Sequence, residues 1–169
     1  MEIQKLTVAD AVALQSISVQ TFSETFTEDN TEENLAKYLA DAFNITRLTE
    51  ELNNPESQFY FAVLNDTVIG YLKINLGQAQ TELKEANGLE IERIYVLKEF
   101  HGKGIAAALY QKAIAIACQQ NCTYVWLGVW EENKRAIGFY TKNGFAEFDR
   151  HIFMVGDDAQ TDIMMKLLL

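Results

Sequence analysis

The sequence predicts a single α/β domain that spans residues 1–169, with a mixed sheet and flanking helices. The chain has 169 residues, which suits one domain of ordinary size. Hydrophobic residues make up 49% and charged residues 22%, so the chain can bury a core without resembling a disordered or membrane protein. There is one proline, Pro55, and no low-complexity tract or internal repeat, so no linker is marked.

The first third of the chain is predicted to be mainly helical. Thr7 and Asp10 have the spacing of a capping box and mark the start of the first helix, whereas Pro55 ends the helical region. The predicted elements of this part are a strand at 2–6, a helix that runs to a polar loop at 25–31, a helix at 32–42 and a short helix that stops near residue 52.

The apolar pattern changes after Pro55. Aromatic and β-branched residues at 58–64 and 68–76 predict an antiparallel hairpin, and the polar segment 78–87 is predicted to be mobile. The remaining predicted elements are a strand at 89–96, a helix at 102–121, a buried strand at 123–130, a helix at 133–143, and strands at 145–155 and 163–169.

Several classes of protein are disfavoured by simple features. No apolar run reaches the length of about 18 residues that suggests a membrane span, and the residues after Met1 lack the pattern of a secretion signal. The two cysteines, Cys118 and Cys122, have no second ligand pair at zinc-finger spacing. We therefore expect reduced thiols, no metal site and a cytoplasmic protein.

The charge is unevenly distributed. The net charge is −10, and residues 1–90 hold 15 acidic and 5 basic side chains, whereas the rest of the chain is balanced. An acidic surface repels nucleic acid and anionic lipid, so neither is expected as a partner. It attracts small cations, although it can also serve solubility alone.

A glycine-containing turn follows the strand at 89–96. It reads His101, Gly102, Lys103, Gly104, Ile105, Ala106 and opens a helix. Closely spaced glycines at a helix start allow backbone N–H groups to point into one concavity, which suits a pyrophosphate. The spacing fits neither the Walker loop nor the dinucleotide fingerprint, and glycines also occur here merely for the turn.

A second motif comprises Asn133, Ala136, Tyr140, Lys142, Gly144 and Phe145. Together with the turn, it resembles the signature of the GNAT superfamily of N-acetyltransferases, with His101 where glutamine or arginine is usual. The resemblance implies the GNAT acyl-CoA N-acyltransferase fold, a twisted mixed sheet whose two central strands splay apart, and acetyl-CoA as cofactor. The residues that it implies for the cofactor are Ile94, Tyr95, Val96, His101, Gly102, Lys103, Gly104, Ile105, Ala106, Asn133, Ala136, Tyr140 and Lys142.

Acetyl transfer to an amine needs a base for the ammonium proton and an acid for the leaving thiolate. Tyr140 is the candidate acid, because a phenol is protonated at neutral pH; a core aromatic is the alternative. Glu90 and Glu92 share a strand face and are the candidate bases, with a solvated strand face as the alternative. Some members of the superfamily carry a glutamate at the position that Gly128 occupies here, so this chain lacks that glutamate.

A narrower resemblance runs along most of the chain. It is to the bacterial spermidine/spermine acetyltransferases of the PaiA type, once described as regulators of protease production. The segments that carry it are 21–26, 58–61, 89–95, 126–131 and 156–162. It implies a polyamine acceptor, and an acidic, aromatic groove for it would be formed by Phe22, Phe26, Glu28, Asp29, Glu32 and Glu33. We expect His151 to be structural and Trp126 and Trp130 to be core or groove wall.

The predicted reaction is direct transfer from acetyl-CoA to a primary amine in a ternary complex, because no cysteine is placed to form an acyl-enzyme. Three alternatives remain open: acetylation of a protein N-terminus or lysine, acetylation of another small amine, and a regulatory CoA-binding protein without turnover. The oligomeric state also remains open, with a homodimer as one option.

Overall fold

The computed structural model describes all 169 residues. Its elements are β1 (Glu2–Lys5), α1 (Ala11–Phe26), α2 (Glu32–Ala42), α3 (Ile45–Asn53), β2 (Ser57–Leu64), β3 (Thr67–Leu76), β4 (Gly88–Val96), α4 (Ile105–Gln119), β5 (Tyr124–Trp130), α5 (Lys134–Lys142), β6 (Ala146–Val155) and β7 (Asp158–Leu168). The strands form one seven-stranded mixed sheet in the order β1-β2-β3-β4-β5-β7-β6. This confirms the predicted α/β fold.

Helices cover both faces of the sheet. α4 and α5 pack on one face, over a large apolar cluster that includes Leu109 and Val125. α1, α2 and α3 cover the other face, where Phe22 and Tyr71 belong to a second cluster. No helix is long and apolar enough to cross a membrane.

The two central strands separate along their length. β4 and β5 are parallel, and their pairing runs only from Gly88 opposite Tyr124 to Glu90 opposite Trp126. Both strands continue beyond that point, to Val96 and Trp130, without pairing to each other. The expected splay of the central strands is therefore present, and it opens a gap in the middle of the sheet.

A β-bulge in β4 changes the alternation of its side chains between the two faces of the sheet. Lys73 of β3 pairs with Arg93, and Ile74 pairs with Ile91, so Glu92 is the extra residue. Ile91 packs in the cluster under α4, whereas Arg93 lies over the ring of Phe43 on the opposite face. Glu92 and Arg93 form an ion pair on that opposite face, so two successive charged side chains point toward α1–α3.

Several local predictions are confirmed. Thr7 and Asp10 form the capping box, although they cap a short 3-10 turn, Val8–Asp10, that precedes α1. The hairpin of β2 and β3 turns at Asn65 and Asp66, which both have positive φ, as a tight two-residue turn requires.

Other boundaries differ from the prediction. Residues 25–31 are not a loop throughout, because α1 continues to Phe26 and a 3-10 turn follows it. The helix predicted from residue 102 begins at Ile105, because Gly102 and Gly104 have φ of 77° and 80° and cannot be helical. β7 begins at Asp158, five residues earlier than predicted, and pairs with β6 along its length.

The segment predicted to be mobile, 78–87, is held to the sheet at Gln80 and Thr81, whereas residues 84–87 are exposed. Gln80 is only 1% exposed, and its Oε1 accepts a 2.7 Å hydrogen bond from the indole Nε1 of Trp126. Thr81 donates to the carboxylate of Glu90 through both its backbone N–H and its hydroxyl. The polar composition of this segment thus combines residues that make specific hydrogen bonds to the sheet with others that face solvent.

Candidate active site

Two cavities open on either side of the gap between β4 and β5. The first, here called the α4 cleft, has a volume of about 490 Å³ and is lined by the end of β4, the turn before α4 and one side of α5. The second, here called the sheet cavity, has a volume of about 420 Å³ and lies on the face covered by α1–α3. Both are lined by Ile94, Tyr95, Asn133, Ala136 and Tyr140, so they adjoin one another.

The α4 cleft contains a run of free backbone donors. The N–H groups of residues 102–107 donate to no acceptor within the protein, whereas the N–H of Ala108 begins the helical pattern by donating to Gly104. Gly104 is the N-cap of α4 in the left-handed conformation, so these donors precede the positive end of the helix dipole. Such a concavity suits an anion with several oxygens, such as a pyrophosphate.

Two polar side chains, Arg135 and His101, contact each other in the lining of this cleft. Arg135 Nη1 lies 2.5 Å from His101 Nδ1, and His101 Nε2 lies 2.7 Å from the carbonyl oxygen of Val96. Because a guanidinium only donates, Nδ1 accepts, so Nε2 carries the proton and donates to Val96. The carbonyl of Val96, one of the residues implied for the cofactor, thus has a partner within the chain.

The predicted residues of α5 separate into two groups. Ala136 and Tyr140 line the α4 cleft, and Asn133 lines it while its side-chain oxygen caps the helix by accepting from the N–H of Ala136 at 3.1 Å. Lys142 is exposed in the last turn of α5 and lines neither cavity. The side chain of Lys103 also lies outside, with its Nζ 5.0 Å from the centre of the Phe100 ring.

Tyr140 occupies the junction of the two cavities. Its side chain is buried, and its ring packs edge-on against Phe139 and Phe145. Its hydroxyl makes no hydrogen bond within the protein and is not among the enclosed polar atoms that lack a partner, so it is open to the cavities. Burial raises the pKa of Tyr140 above its usual value, with a smaller contribution from Tyr110. The phenol therefore holds its proton at neutral pH and can donate it.

The two carboxylates of β4 have different environments. Glu92 is paired with Lys73 at 2.6 Å and with Arg93 at 3.1 Å, and it accepts a 2.6 Å hydrogen bond from Asn75. Burial acts to raise the pKa of Glu92, but the two cations and the hydrogen bonds outweigh it and lower the pKa to about 2. A carboxylate held in this way is a poor proton acceptor.

Glu90 has no cationic partner. It is 3% exposed and accepts hydrogen bonds from Asn75 and Thr81. Burial raises the pKa of Glu90, and the charge of Glu92 raises it further, against the lowering by these hydrogen bonds. Of the two predicted bases, Glu90 is the better proton acceptor, because its pKa is raised whereas that of Glu92 is lowered.

The sheet cavity has aromatic walls, as expected, but its carboxylates differ from those predicted. Phe22 and Phe26 are buried and line it, together with Tyr38, Trp126 and Trp130. The four carboxylates predicted for the groove are exposed on the outside of the α1–α2 region and do not line the cavity; they are Glu28, Asp29, Glu32 and Glu33. The acidic residues that line it are Glu82, Glu90, Glu92 and Asp162.

His151, Glu82 and Asp162 form a cluster in the lining of this cavity. The sequence did not indicate this cluster, and we expected only a structural role for His151. His151 of β6 has its Nδ1 2.9 Å from Glu82 Oε1 and its Nε2 3.4 Å from Asp162 Oδ2 of β7. The Nδ1 contact with Glu82 is not aligned as a hydrogen bond. Burial raises the pKa of Asp162 to about 6, against the lowering by His151. The one feature of the sequence that could have indicated the position of Asp162 is the alternation of the polar residues Gln160 and Asp162 at the start of an apolar strand.

No set of three or more histidine, cysteine, aspartate or glutamate side chains is arranged to hold a metal ion. The two cavities offer proton donors and acceptors: a free phenol where they adjoin, a buried carboxylate without a cationic partner in the sheet cavity, and a run of free N–H groups in the α4 cleft. This set suits transfer of an acyl group between a phosphate-bearing donor and a nucleophile on the other face of the sheet.

Comparisons with known proteins also indicate an acyl-transfer enzyme. Residues 14–145 match the family model described as the acetyltransferase (GNAT) family. An uncharacterised N-acetyltransferase from the pepI 3′ region of Lactobacillus delbrueckii subsp. lactis is 39% identical over 169 residues, which cover 100% of this chain and 98% of that protein.

Two further proteins are more distant. A spermidine N(1)-acetyltransferase from Thermoplasma acidophilum is 25% identical over 149 residues, which cover 86% of this chain and 88% of that protein. The crystal structure of the PaiA N-acetyltransferase from Thermoplasma acidophilum, in complex with coenzyme A, has a TM-score of 0.81 to this chain at 22% identity and covers 100% of both chains. At this identity, the structural similarity shows the shared fold.

Proposed function

Since this chain belongs to the acetyltransferase (GNAT) family, it is an acetyl-CoA-dependent N-acetyltransferase, and we propose that it acetylates a primary amine bound in the sheet cavity. The observation that carries the proposal is the position of Tyr140, whose unbonded hydroxyl faces the junction between the α4 cleft and the sheet cavity. A donor on one face and an acceptor on the other would meet at this side chain.

The α4 cleft is suited to acetyl-CoA, which supplies the acetyl group as a thioester. The free N–H groups of residues 102–107 would hold the pyrophosphate, with Arg135 at the edge of the cleft adding a positive charge. Ile94 and Phe139 line the same cleft and offer apolar contacts to the pantetheine arm. The pyrophosphate contacts depend on backbone groups, so the presence of His101 instead of glutamine or arginine does not weaken them.

The proposed proton transfers involve two side chains. Glu90 would accept a proton from the acceptor ammonium, through water where needed, and so free the lone pair of the nitrogen. The nitrogen would then attack the thioester carbonyl, and as the C–S bond breaks Tyr140 would donate its phenolic proton to the departing sulfur; the second proton lost by the nitrogen would restore the phenol. Glu92, held by Lys73 and Arg93, would keep Asn75 and the bulge of β4 in place rather than move a proton.

We further propose that the acceptor is a polyamine. The sheet cavity combines aromatic walls with the carboxylates of Glu82, Glu90 and Asp162, a combination that suits cationic nitrogens separated by methylene groups. The similarity to a spermidine N(1)-acetyltransferase supports this choice. We also propose that residues 1–169 act as one domain in the cytoplasm, where the two free cysteines would remain reduced.

The test is mass spectrometry of the products formed from acetyl-CoA and a panel of amines that includes spermidine, spermine, lysine peptides and neutral amines. We expect the mass of one acetyl group to be added to the polyamines first. Efficient acetylation of neutral or anionic amines, with polyamines untouched, would show that the acceptor class is wrong. Binding of CoA without acetylation of any amine would instead favour a regulatory binding protein.

A further inference from the structure

A row of polar side chains crosses the centre of the sheet, at the level where β4 and β5 begin to separate. Ser57 of β2 lies opposite Asn75 of β3. Asn75 is in turn opposite Glu90 of β4, and Glu90 is opposite Trp126 of β5 in the last pair of the β4–β5 ladder. Because side chains at paired positions lie next to each other on one face of a sheet, Asn75 adjoins Glu90 on the side away from the gap.

The amide of Asn75 has a partner for each of its polar groups. Asn75 is fully buried, and its Oδ1 accepts a 2.8 Å hydrogen bond from the hydroxyl of Ser57. Its Nδ2 donates to Glu90 Oε2 at 3.0 Å and to Glu92 Oε2 at 2.6 Å. An amide nitrogen carries two hydrogens, so one is available for each carboxylate. The opposite orientation would place the amide oxygen against two carboxylates, so Ser57 and Glu92 fix the direction in which Asn75 donates to Glu90.

The two carboxylates that share this nitrogen differ in how firmly their charge is held. Glu92 is paired with Lys73 and Arg93, and both cations also contact Glu51 of α3. Glu90 has no cation, and its remaining partners are the backbone N–H of Thr81 at 2.9 Å and the hydroxyl of Thr81 at 2.5 Å. Asn75 thus connects a carboxylate of fixed charge to one that can gain and lose a proton.

The hydrogen bonds to Glu90 favour its ionised form. The amide nitrogen of Asn75 and the backbone N–H of Thr81 can only donate, and a protonated carboxyl oxygen offers them a poorer acceptor than a carboxylate does. Burial raises the pKa of Glu90, the charge of Glu92 raises it further, and the hydrogen bond from Asn75 comes first among the groups that lower it. Asn75 therefore opposes the two effects that would leave Glu90 protonated.

Glu90 shares the sheet cavity with other ionisable groups. Those that carry charge are Glu82 before β4, Glu92 and Arg93 on β4, Arg47 on α3, His151 on β6 and Asp162 on β7. Among these, the charge that raises the pKa of Glu90 is that of Glu92. The phenols of the cavity, Tyr38, Tyr95 and Tyr140, have pKa values raised by burial and stay neutral. The balance at Glu90 is thus set mainly by burial, by Glu92 and by its hydrogen-bond donors.

We propose that Asn75 is a positioning residue for the acetyl transfer, which holds the Glu90 carboxylate ionised and oriented to accept a proton from the amine. The proposal rests on the proposed function, in that Glu90 is taken as the base. Asn75 does not line the sheet cavity, so it acts through Glu90 and does not contact the acceptor. The amide of Asn75 then sets the lowest pH at which the enzyme works.

The experiment measures kcat/KM for spermidine as a function of pH. Asn75→Leu keeps a side chain of similar size and removes both donors, so the acid limb of the profile should move to higher pH by about one pH unit or more. A merely structural defect would lower kcat/KM at every pH without moving the limb. Asn87→Leu makes the same change at an exposed position, where the amide donates to Thr123, and should keep the wild-type limb.

A second pair of variants gives shifts of opposite sign. Asn75→Asp keeps the shape and the acceptor for Ser57 but removes the donors, so it should move the limb upward even if Asn75→Leu fails to fold. Glu92→Gln removes the neighbouring negative charge and should move the limb downward. An acid limb that stays at the wild-type pH in the folded Asn75 variants would overturn the proposal.

One further measurement separates this proposal from the proposed function. Loss of the acid limb in Glu90→Gln identifies Glu90 as the base, whereas a limb that persists there, or an enzyme that acetylates no amine, counts against the proposed function. Carbon-13 NMR of the glutamate carboxyl groups, with the Glu90 signal assigned from Glu90→Gln, follows the ionisation of Glu90 without turnover. A higher titration midpoint in Asn75→Leu supports the control of Glu90 by Asn75, and an equal midpoint contradicts it.

Discussion

The α4 cleft and the sheet cavity lie on opposite sides of the same gap but are constructed differently. The α4 cleft presents backbone N–H groups from six consecutive residues, 102–107. The sheet cavity presents side chains from α1, α2, the segment before β4, and β4 to β7. One site thus depends on the conformation of a single turn, whereas the other depends on the packing of many elements.

The construction of each site determines which substitutions it tolerates. A backbone site is insensitive to most side-chain changes, provided that its glycines keep their positive φ. A side-chain site can change its ligand through one or two substitutions, because each contact comes from a separate residue. We therefore expect the cofactor to be fixed by the turn, and the choice of amine to be set by the sheet cavity.

The largest effect is expected at Tyr140, where the two sites meet. Tyr140→Phe keeps the ring and removes only the proton donor, so kcat should fall by about 10² to 10⁴. The affinity for CoA and the melting temperature should change little. Tyr110→Phe is the matched control, because Tyr110 is a buried tyrosine that packs against Phe139 and Phe145 and lines neither cavity. Turnover of Tyr140→Phe close to that of this control would return Tyr140 to a packing role.

A comparison of Glu92→Gln with Glu90→Gln distinguishes a carboxylate that stabilises the fold from one that accepts a proton in the reaction. Glu92→Gln leaves two buried cations, Lys73 and Arg93, with Glu51 as their one carboxylate partner, and it should lower the free energy of unfolding by about 3 kcal/mol. Glu90→Gln removes a carboxylate whose burial disfavours its charge, so the fold should keep its stability while kcat/KM decreases. Chemical denaturation and steady-state kinetics measure the two effects. The reverse pattern would make Glu92 the base.

The same pair predicts how stability depends on pH. Because the pKa of Glu92 is lowered to about 2 in the folded state, its stabilisation is present above its ordinary pKa and is lost as the pH falls toward 2. The raised pKa of Glu90 has the opposite sign, because the folded state favours its protonated form. Acid unfolding of Glu92→Gln should therefore be less steep than that of the wild type.

The turn is tested by a matched pair of glycine substitutions. Gly104 has φ of 80°, so Gly104→Ala strains the backbone that presents the N–H groups, and it should weaken CoA binding about tenfold. Gly138 on α5 also has open space around an added Cβ but no positive φ, so Gly138→Ala should bind CoA normally. Unchanged CoA affinity in a folded Gly104→Ala protein, measured by calorimetry, would contradict the assignment of the turn.

The smallest effect is expected for the exposed carboxylates of the α1–α2 region. Joint neutralisation of Glu28, Asp29, Glu32 and Glu33 should change the KM for spermidine by less than about threefold at physiological salt, because exposed charges beyond a Debye length are screened. A larger increase, together with a loss of the salt dependence of KM, would show that these residues bind the acceptor directly.

The same contrast explains how much could be predicted from the sequence. The cleft was readable because its glycines, Asn133 and Tyr140 have fixed spacing within two short motifs, and local spacing determines which backbone groups converge. The fold was readable from periodicity, and the errors occurred where hydrogen bonds from distant residues order a polar segment, as Trp126 does for Gln80.

The sheet cavity could be predicted only in part. Phe22 and Phe26 line the cavity because their helix packs on the sheet, as their apolar character indicates. The charges of the first half did not indicate which carboxylates line the cavity, since the placement of Asp162 there depends on how β6, β7 and β5 pair over long distances. Strand order and register, which local patterns do not determine, decide that placement.

The most direct test of the whole account is the affinity of one molecule that spans both cavities, a CoA joined through its sulfur and an acetyl linker to spermidine. If the α4 cleft holds the cofactor and the sheet cavity holds the amine, calorimetry should find that this conjugate binds at least about 100-fold more tightly than CoA alone. A conjugate that binds no more tightly than CoA would contradict the account.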